Sequence, residues 1–144
     1  MGQQQLLLLV LGIVIVGIAA VAGIQAFSEG KASAKADATV ADASRAITDI
    51  QAWYFKPKPF GGGGEDTTSF EGFKWSNIGR NAADDAGSVD TKYETANACM
   101  TIAGVSGKAT VTIETRDADG CGTATYATAV VKGGDPEDVT WTYN

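Results

Sequence analysis

Leu6 to Phe27 reads LLLLVLGIVIVGIAAVAGIQAF, an aliphatic run in which Gln25 is the one polar side chain. A helix over that run extends about 33 Å at the standard rise, enough to cross the roughly 30 Å of hydrocarbon in a bilayer. No charged residue occurs before Glu29, and all 11 Lys and Arg lie beyond it. From Ser28 to Asn144 the composition becomes that of an ordinary soluble chain, rich in Thr, Ala, Gly and Asp. The sequence therefore divides into an apolar rod and one small acidic domain.

The whole chain has 144 residues, 17 acidic side chains, a formal net charge of −6 and no histidine. Its length allows one compact domain and no multidomain machine. The acidic balance argues against nucleic acid as a partner, because phosphate contacts need a basic face. Without histidine, the commonest general base and the commonest zinc ligand are both missing. Two cysteines do not complete a zinc site or a haem attachment motif. Serine and threonine are abundant, but no placed base accompanies them, so the reading is not an enzyme and requires no cofactor or metal.

Three fates compete for the rod. A cleaved secretory signal would need a basic leading segment, which residues 1–5 (MGQQQ) lack, although Ala20-Val21-Ala22 imitates a cleavage site. A single-pass anchor satisfies the hydropathy alone. The third fate is a segment that enters a membrane and later packs against copies of itself.

The residues after the rod favour the third. From Ser28 to Phe55 there is no proline, and Ala36, Val40, Ala43, Ile47, Ile50 and Tyr54 recur at steps of four and three. That spacing predicts a one-sided helical stripe, with Asp37, Asp42, Arg45 and Asp49 on other faces. Lys56-Pro57-Lys58-Pro59 ends the helix. If Gly30 does not interrupt it, one helix spans about Leu6 to Phe55. Gly61 to Gly64 then read either as a bare linker or as a place where a neighbouring subunit's backbone comes close. The aromatics Trp53, Tyr54, Phe55, Phe60, Phe70, Phe73 and Trp75 are expected to close the core where the helix ends.

The remainder reads as β. One strand is expected over Tyr93–Val105, with Ala96, Ala98, Met100 and Ile102 on one face, and a second over Lys108–Thr115, with Ala109, Val111 and Ile113. A turn at Ser106-Gly107 pairs Ile102 with Val111 and Met100 with Ile113, so the two apolar faces coincide. Asp119-Gly120 predicts a second turn into Thr123–Lys132, with Ala124, Tyr126 and Val130 on its face. Gly133-Gly134-Asp135-Pro136 predicts a third, before Val139, Trp141 and Tyr143. The expected architecture is α+β: a long N-terminal helix packed, along its C-terminal half, on four antiparallel strands. The expected divisions are residues 1–28 (apolar helix), 29–56 (amphipathic continuation), 57–90 (Pro/Gly-rich junction) and 91–144 (β-region).

Cys99 and Cys121 invite a disulfide if the domain reaches an oxidising compartment. This register objects, because it sets them about 10 Å apart on strands flanking a central one, beyond disulfide reach. Either a loop or bulge brings Cys121 back, or both remain thiols. Asp117-Ala118-Asp119-Gly120 has the look of a calcium-loop fragment but lacks the later glutamate, and reads better as a solvated turn. Asp135, Glu137 and Asp138 read as ordinary surface charge.

Taken together, Gly2 followed by the polar QQQ step, the aliphatic run from Leu6, the amphipathic continuation to Phe55 and a Thr-rich β-region with two late cysteines resemble the type IV pilin superfamily. The junction WYFKPKPFGGGGEDTTSFEGFKW, Trp53 to Trp75, is also similar to an aromatic–KP–GGGG–SF junction of bacterial pilin-like proteins. The resemblance implies an extracellular filament built by many copies of this chain, held in the inner membrane before assembly. It also implies a prepilin peptidase that cuts after a glycine, here Gly2, and an assembly ATPase. The family's glutamate at the fifth mature position is absent: Gln5 stands there if Met1 is first, and Leu7 if cleavage follows Gly2. Glutamine still donates and accepts hydrogen bonds, and it is cheaper than a charge to hold in lipid. Gly12, Gly17 and Gly23 read as close-packing positions between apolar helices or as weak points where the helix melts. The alternative function is a non-polymerising, pseudopilin-like or membrane-anchored surface domain that binds a partner.

Overall fold

The computed structural model describes residues 2–66, 69–80, 90–117 and 120–144, with Asp117, Thr123 and Ala124 described by their backbone alone. The chain divides into two compact units, Met1–Lys35 and Ala36–Asn144. A single α-helix, α1 (Gly2–Phe55), contains all of the described part of the first unit and enters the second. Gly12, Gly17, Gly23 and Gly30 are all accommodated without a break.

In the second unit, α1 packs on a five-stranded antiparallel meander. The strands are β1 (Lys92–Glu94), β2 (Ala98–Val105), β3 (Lys108–Asp117), β4 (Gly120–Val131) and β5 (Val139–Tyr143), in that spatial order. The fold is α+β. The helix stripe is centred one position away from the expected one: its buried residues are Thr39, Ala43, Ala46, Ile47, Ile50 and Trp53. Ala36, Val40 and Tyr54 lie along its half-buried margin. Thr39 escapes a purely apolar search because its hydroxyl is satisfied inside, donating to the carbonyl of Asn97 at 3.0 Å. Ala43 and Ala46 on the helix, with Ala98, Ala109, Ala127 and Ala129 on the sheet, are fully buried. Short side chains on both layers let them approach closely, and Ile50, Met100, Ile102, Val111, Ile113 and Val131 fill the remainder.

The central hairpin follows the expected register, with Ile102 opposite Val111 and Met100 opposite Ile113. Three other expectations are corrected. The single strand over Tyr93–Val105 is two, because Thr95 and Asn97 reverse the chain: the Thr95 hydroxyl accepts the Ala98 N–H at 2.9 Å, and Thr95 N–H donates to the Ala98 carbonyl at 2.8 Å. Ala96 sits in that turn, exposed, and does not share the face of Ala98. The sheet therefore has five strands instead of four.

The third correction concerns β4, whose buried residues are Ala127, Ala129 and Val131, whereas Tyr126 and Val130 are only partly covered. Register shifts interrupt the β3–β4 ladder between Ile113 and Arg116: Arg116 pairs with Cys121, Glu114 with Thr125, and Ile113 with Ala127. Extra residues on β4 change which side chains face inward, as a bulge does. Gly122 lies in this stretch, and a Cβ there would come within 2.9 Å of the Thr115 carbonyl oxygen. The expected turn at Asp119-Gly120 and Ala124's place on the face fall at positions whose turn or side-chain structure lies outside the described residues.

The helix stops at Phe55, and the glycine run folds back as its cap. The N–H groups of Gly63, Gly64 and Glu65 donate to the carbonyls of Trp53, Lys56 and Tyr54 at 2.9, 2.9 and 3.1 Å. These acceptors belong to the helix end and the residue just beyond it, where carbonyls lack partners within the helix. The indole of Trp53 donates in turn to the Gly61 carbonyl at 2.9 Å. A Cβ on Gly62 would stand 2.0 Å from the Lys56 carbonyl oxygen, so a side chain does not fit there. Gly61–Gly64 is thus a built intramolecular clasp and not a bare linker. Trp53 packs on Phe70 and Phe73, Trp75 is buried against Tyr93, and Phe55 and Phe60 stay exposed.

Candidate functional site

The first unit has one conspicuous chemical property. Its large apolar side chains from Leu6 to Phe27 are 50–77% exposed. The best 18-residue window of α1 has a mean hydropathy of 3.0, and none of that window is buried. By length and composition this helix can cross a membrane. In water such a surface is strongly unfavourable, at about 25 cal/mol for each Å² of apolar area. Contiguous apolar patches this large mark a surface that meets lipid or protein.

The predicted positions along this unit are all helical. Gly2 is the first residue of α1, and Gln5 is exposed one turn later. Gly12, Gly17 and Gly23 have open space where a Cβ would stand, so among the described residues no contact requires them to be glycine.

The second unit carries the disulfide. Cys99 and Cys121 are bonded, with Cα atoms 5.7 Å apart. The β3–β4 register shifts resolve the objection that a regular sheet raises, because they bring the start of β4 toward β2 across β3. Glu94 lies beside the bridge and pairs with Arg116 at 3.1 Å. Glu94 and the two sulfurs lie within 4.8 Å of one another, but the sulfurs are bonded together and offer no thiolate to a metal.

Two polar clusters fasten the helix to the sheet. The Asp42 carboxylate accepts from the Thr95 hydroxyl at 2.9 Å and from the Asn97 amide at 3.2 Å. Further along, the Arg80 guanidinium donates to Asp49 and stands 4.8 Å over the Tyr93 ring. Burial works against its charge, but the hydrogen bond to Asp49 and the nearby Tyr93 outweigh that, leaving its pKa above the ordinary arginine value. Sequence reading missed both clusters, since the helix carboxylates stand 31 to 55 residues from the groups that donate to them and only the fold joins them.

The acidic positions near the C-terminus have a local use. Asp138 accepts the backbone N–H of Asp135 at 3.3 Å, the two residues capping a short 3-10 turn at Pro136–Asp138. Ala118 and Asp119 of the calcium-like tetrad lie outside the described residues. No family model matches the chain, and no curated protein or solved structure matches it either.

Proposed function

We propose that this chain is the structural subunit of an extracellular, type IV pilus-like filament. The observation that carries the reading is the uncharged, exposed apolar span Leu6–Phe27 joined to a small folded unit that does not use it as core. In a membrane that span is satisfied by lipid. In a filament it is satisfied by the same span of other copies, and its partner is therefore the chain itself. Lipid tails and aliphatic side chains are similar solvents, so the transfer is nearly neutral in hydrophobic terms and packing between helices must favour the bundle. Glycines at 12, 17 and 23, open on the isolated chain, let backbones approach in such a bundle. A peptidase acting at Gly2 and an assembly ATPase supplying extraction work belong to this reading, as does export of the second unit to a compartment where its disulfide persists.

The test is to place charge in the span. Ile15→Asp with Ile18→Asp should leave the second unit folded, with its disulfide intact by mass, while abolishing filaments in electron micrographs of sheared cell-surface material. Normal filaments from that variant would overturn the reading. Wild-type cells bearing the chain only as a membrane-bound protein, with no fibre containing it, would replace it with the anchored binding domain.

A further inference from the structure

The two edges of the sheet differ. The β1 edge is three residues long and carries Lys92 and Glu94, and the carbonyl of Asp90 just before it is taken by the Trp75 N–H at 3.1 Å. Short length, charge and cover are the ordinary guards against strand pairing between chains. The β5 edge, Val139-Thr140-Trp141-Thr142-Tyr143, is longer, carries no charge and no proline, and every residue is a strong strand former.

The hydrogen-bond phase shows which backbone groups that edge offers. Lys132 N–H donates to the Asp138 carbonyl and Asn144 N–H to the Tyr126 carbonyl. With the register Val131↔Val139 through Ala127↔Tyr143, even-numbered residues of β5 bond to β4 and odd-numbered ones point away. Val139 N–H is used by the Pro136 carbonyl. Among the described residues, the edge therefore presents the Val139 carbonyl and both backbone groups of Trp141 and Tyr143.

We infer that this edge pairs with β5 of a second copy, antiparallel and centred on Trp141. In that register the two Trp141 residues exchange both N–H···O=C bonds, and each Tyr143 N–H meets the Val139 carbonyl of the other chain. Four bonds form in this self-complementary register, as an isologous contact allows, while each Tyr143 carbonyl stays open to water because the opposite Val139 N–H is held by Pro136. The proposed function supplies the occupant: in a filament each neighbour is another copy of this chain, and a second β5 brings no charged side chain to the seam. The aromatic pair Trp141–Tyr143, stacked at 6.1 Å, would continue into its counterpart and add ring contacts across the seam. In a fibre-forming chain this contact would join subunits through their folded units, independently of the rods.

Thr140 and Thr142 provide the test, because both are exposed and stand directly opposite each other across the paired strands. The full-length chain is purified in detergent micelles with Ile15→Asp and Ile18→Asp, which removes association through the rod. Sedimentation should show a concentration-dependent dimer. Thr140→Lys with Thr142→Lys sets lysine against lysine at both ends of the seam and should weaken that dimer roughly tenfold. Thr140→Lys with Thr142→Glu sets opposite charges together and should restore it. A monomer at all concentrations with unchanged β5, or a dimer indifferent to the lysine pair, would overturn the inference. Loss of filaments in the Ile15/Ile18 variant bears on the rod alone, so the two readings fail separately.

Discussion

Two stretches of α1 solve opposite problems with the same backbone. Leu6–Phe27 is apolar on every side and exposed among the described residues; Thr39–Trp53 is apolar on one side, and that side is buried. In the second stretch, two alanines and a satisfied threonine let the helix approach the sheet, while Asp42 and Asp49 at its margins accept hydrogen bonds from Thr95, Asn97 and Arg80. The first stretch has no such polar partners. A helix whose surface is matched to one neighbour specifies a fold; a helix uniformly greasy around its circumference specifies only a class of surroundings.

The strongest way to break this contrast is to put the same change in both stretches. Ile50→Asp buries an unpaired carboxylate at a fully covered site and should unfold the second unit, a loss above about 4 kcal/mol read by chemical denaturation. Ile18→Asp, 67% exposed in wild type, should leave that unit's denaturation midpoint where it is and, on the proposed function, instead lower the protein's yield in sheared fibres. Equal melting of the two variants would erase the distinction.

Opening the bridge should be the next largest effect. Cys99→Ser with Cys121→Ser should cost about 2–4 kcal/mol of the second unit's stability, with no change in how the rod partitions into detergent. Glycine substitutions then sharpen the comparison. Gly62→Ala collides with the Lys56 carbonyl and should cost roughly 1–3 kcal/mol by displacing the clasp. Gly12→Ala meets open space and should leave the denaturation midpoint unchanged. Among the changes expected to register, the smallest is Arg45→Ala, which removes an exposed contact with Asp42 at 4.0 Å and should shift stability by less than about 0.5 kcal/mol in the same assay.

Much of the architecture was legible because periodicity survives in the local sequence. The helix, its end at the Lys-Pro pairs, and the β2–β3 hairpin are each written in contiguous residues, and the hairpin register followed from matching two apolar faces across Ser106-Gly107. β4 was misread for a physical reason: a bulge changes which side chains point inward, and nothing in Thr123–Lys132 marks where the extra residues lie. The same irregularity hid the geometry of the bridge, since a regular sheet keeps β2 and β4 too far apart. The clasp was invisible for a different reason, because backbone hydrogen bonds leave no mark on side-chain pattern. For the candidate assembly surface, composition located the span from Leu6 to Phe27 directly, while the open edge at β5 required strand order and hydrogen-bond phase.

The bridge between Cys99 and Cys121 has a mechanical corollary. It joins β2 to β4 around β3, so a pull on the chain cannot draw out the 22 residue steps between them. At about 3.4 Å per step, roughly 75 Å of contour is withheld from extension. A thread of such subunits under tension would lengthen by peeling its terminal strands and stop short at a locked block, making the oxidised polymer stiffer at large strain than its reduced counterpart.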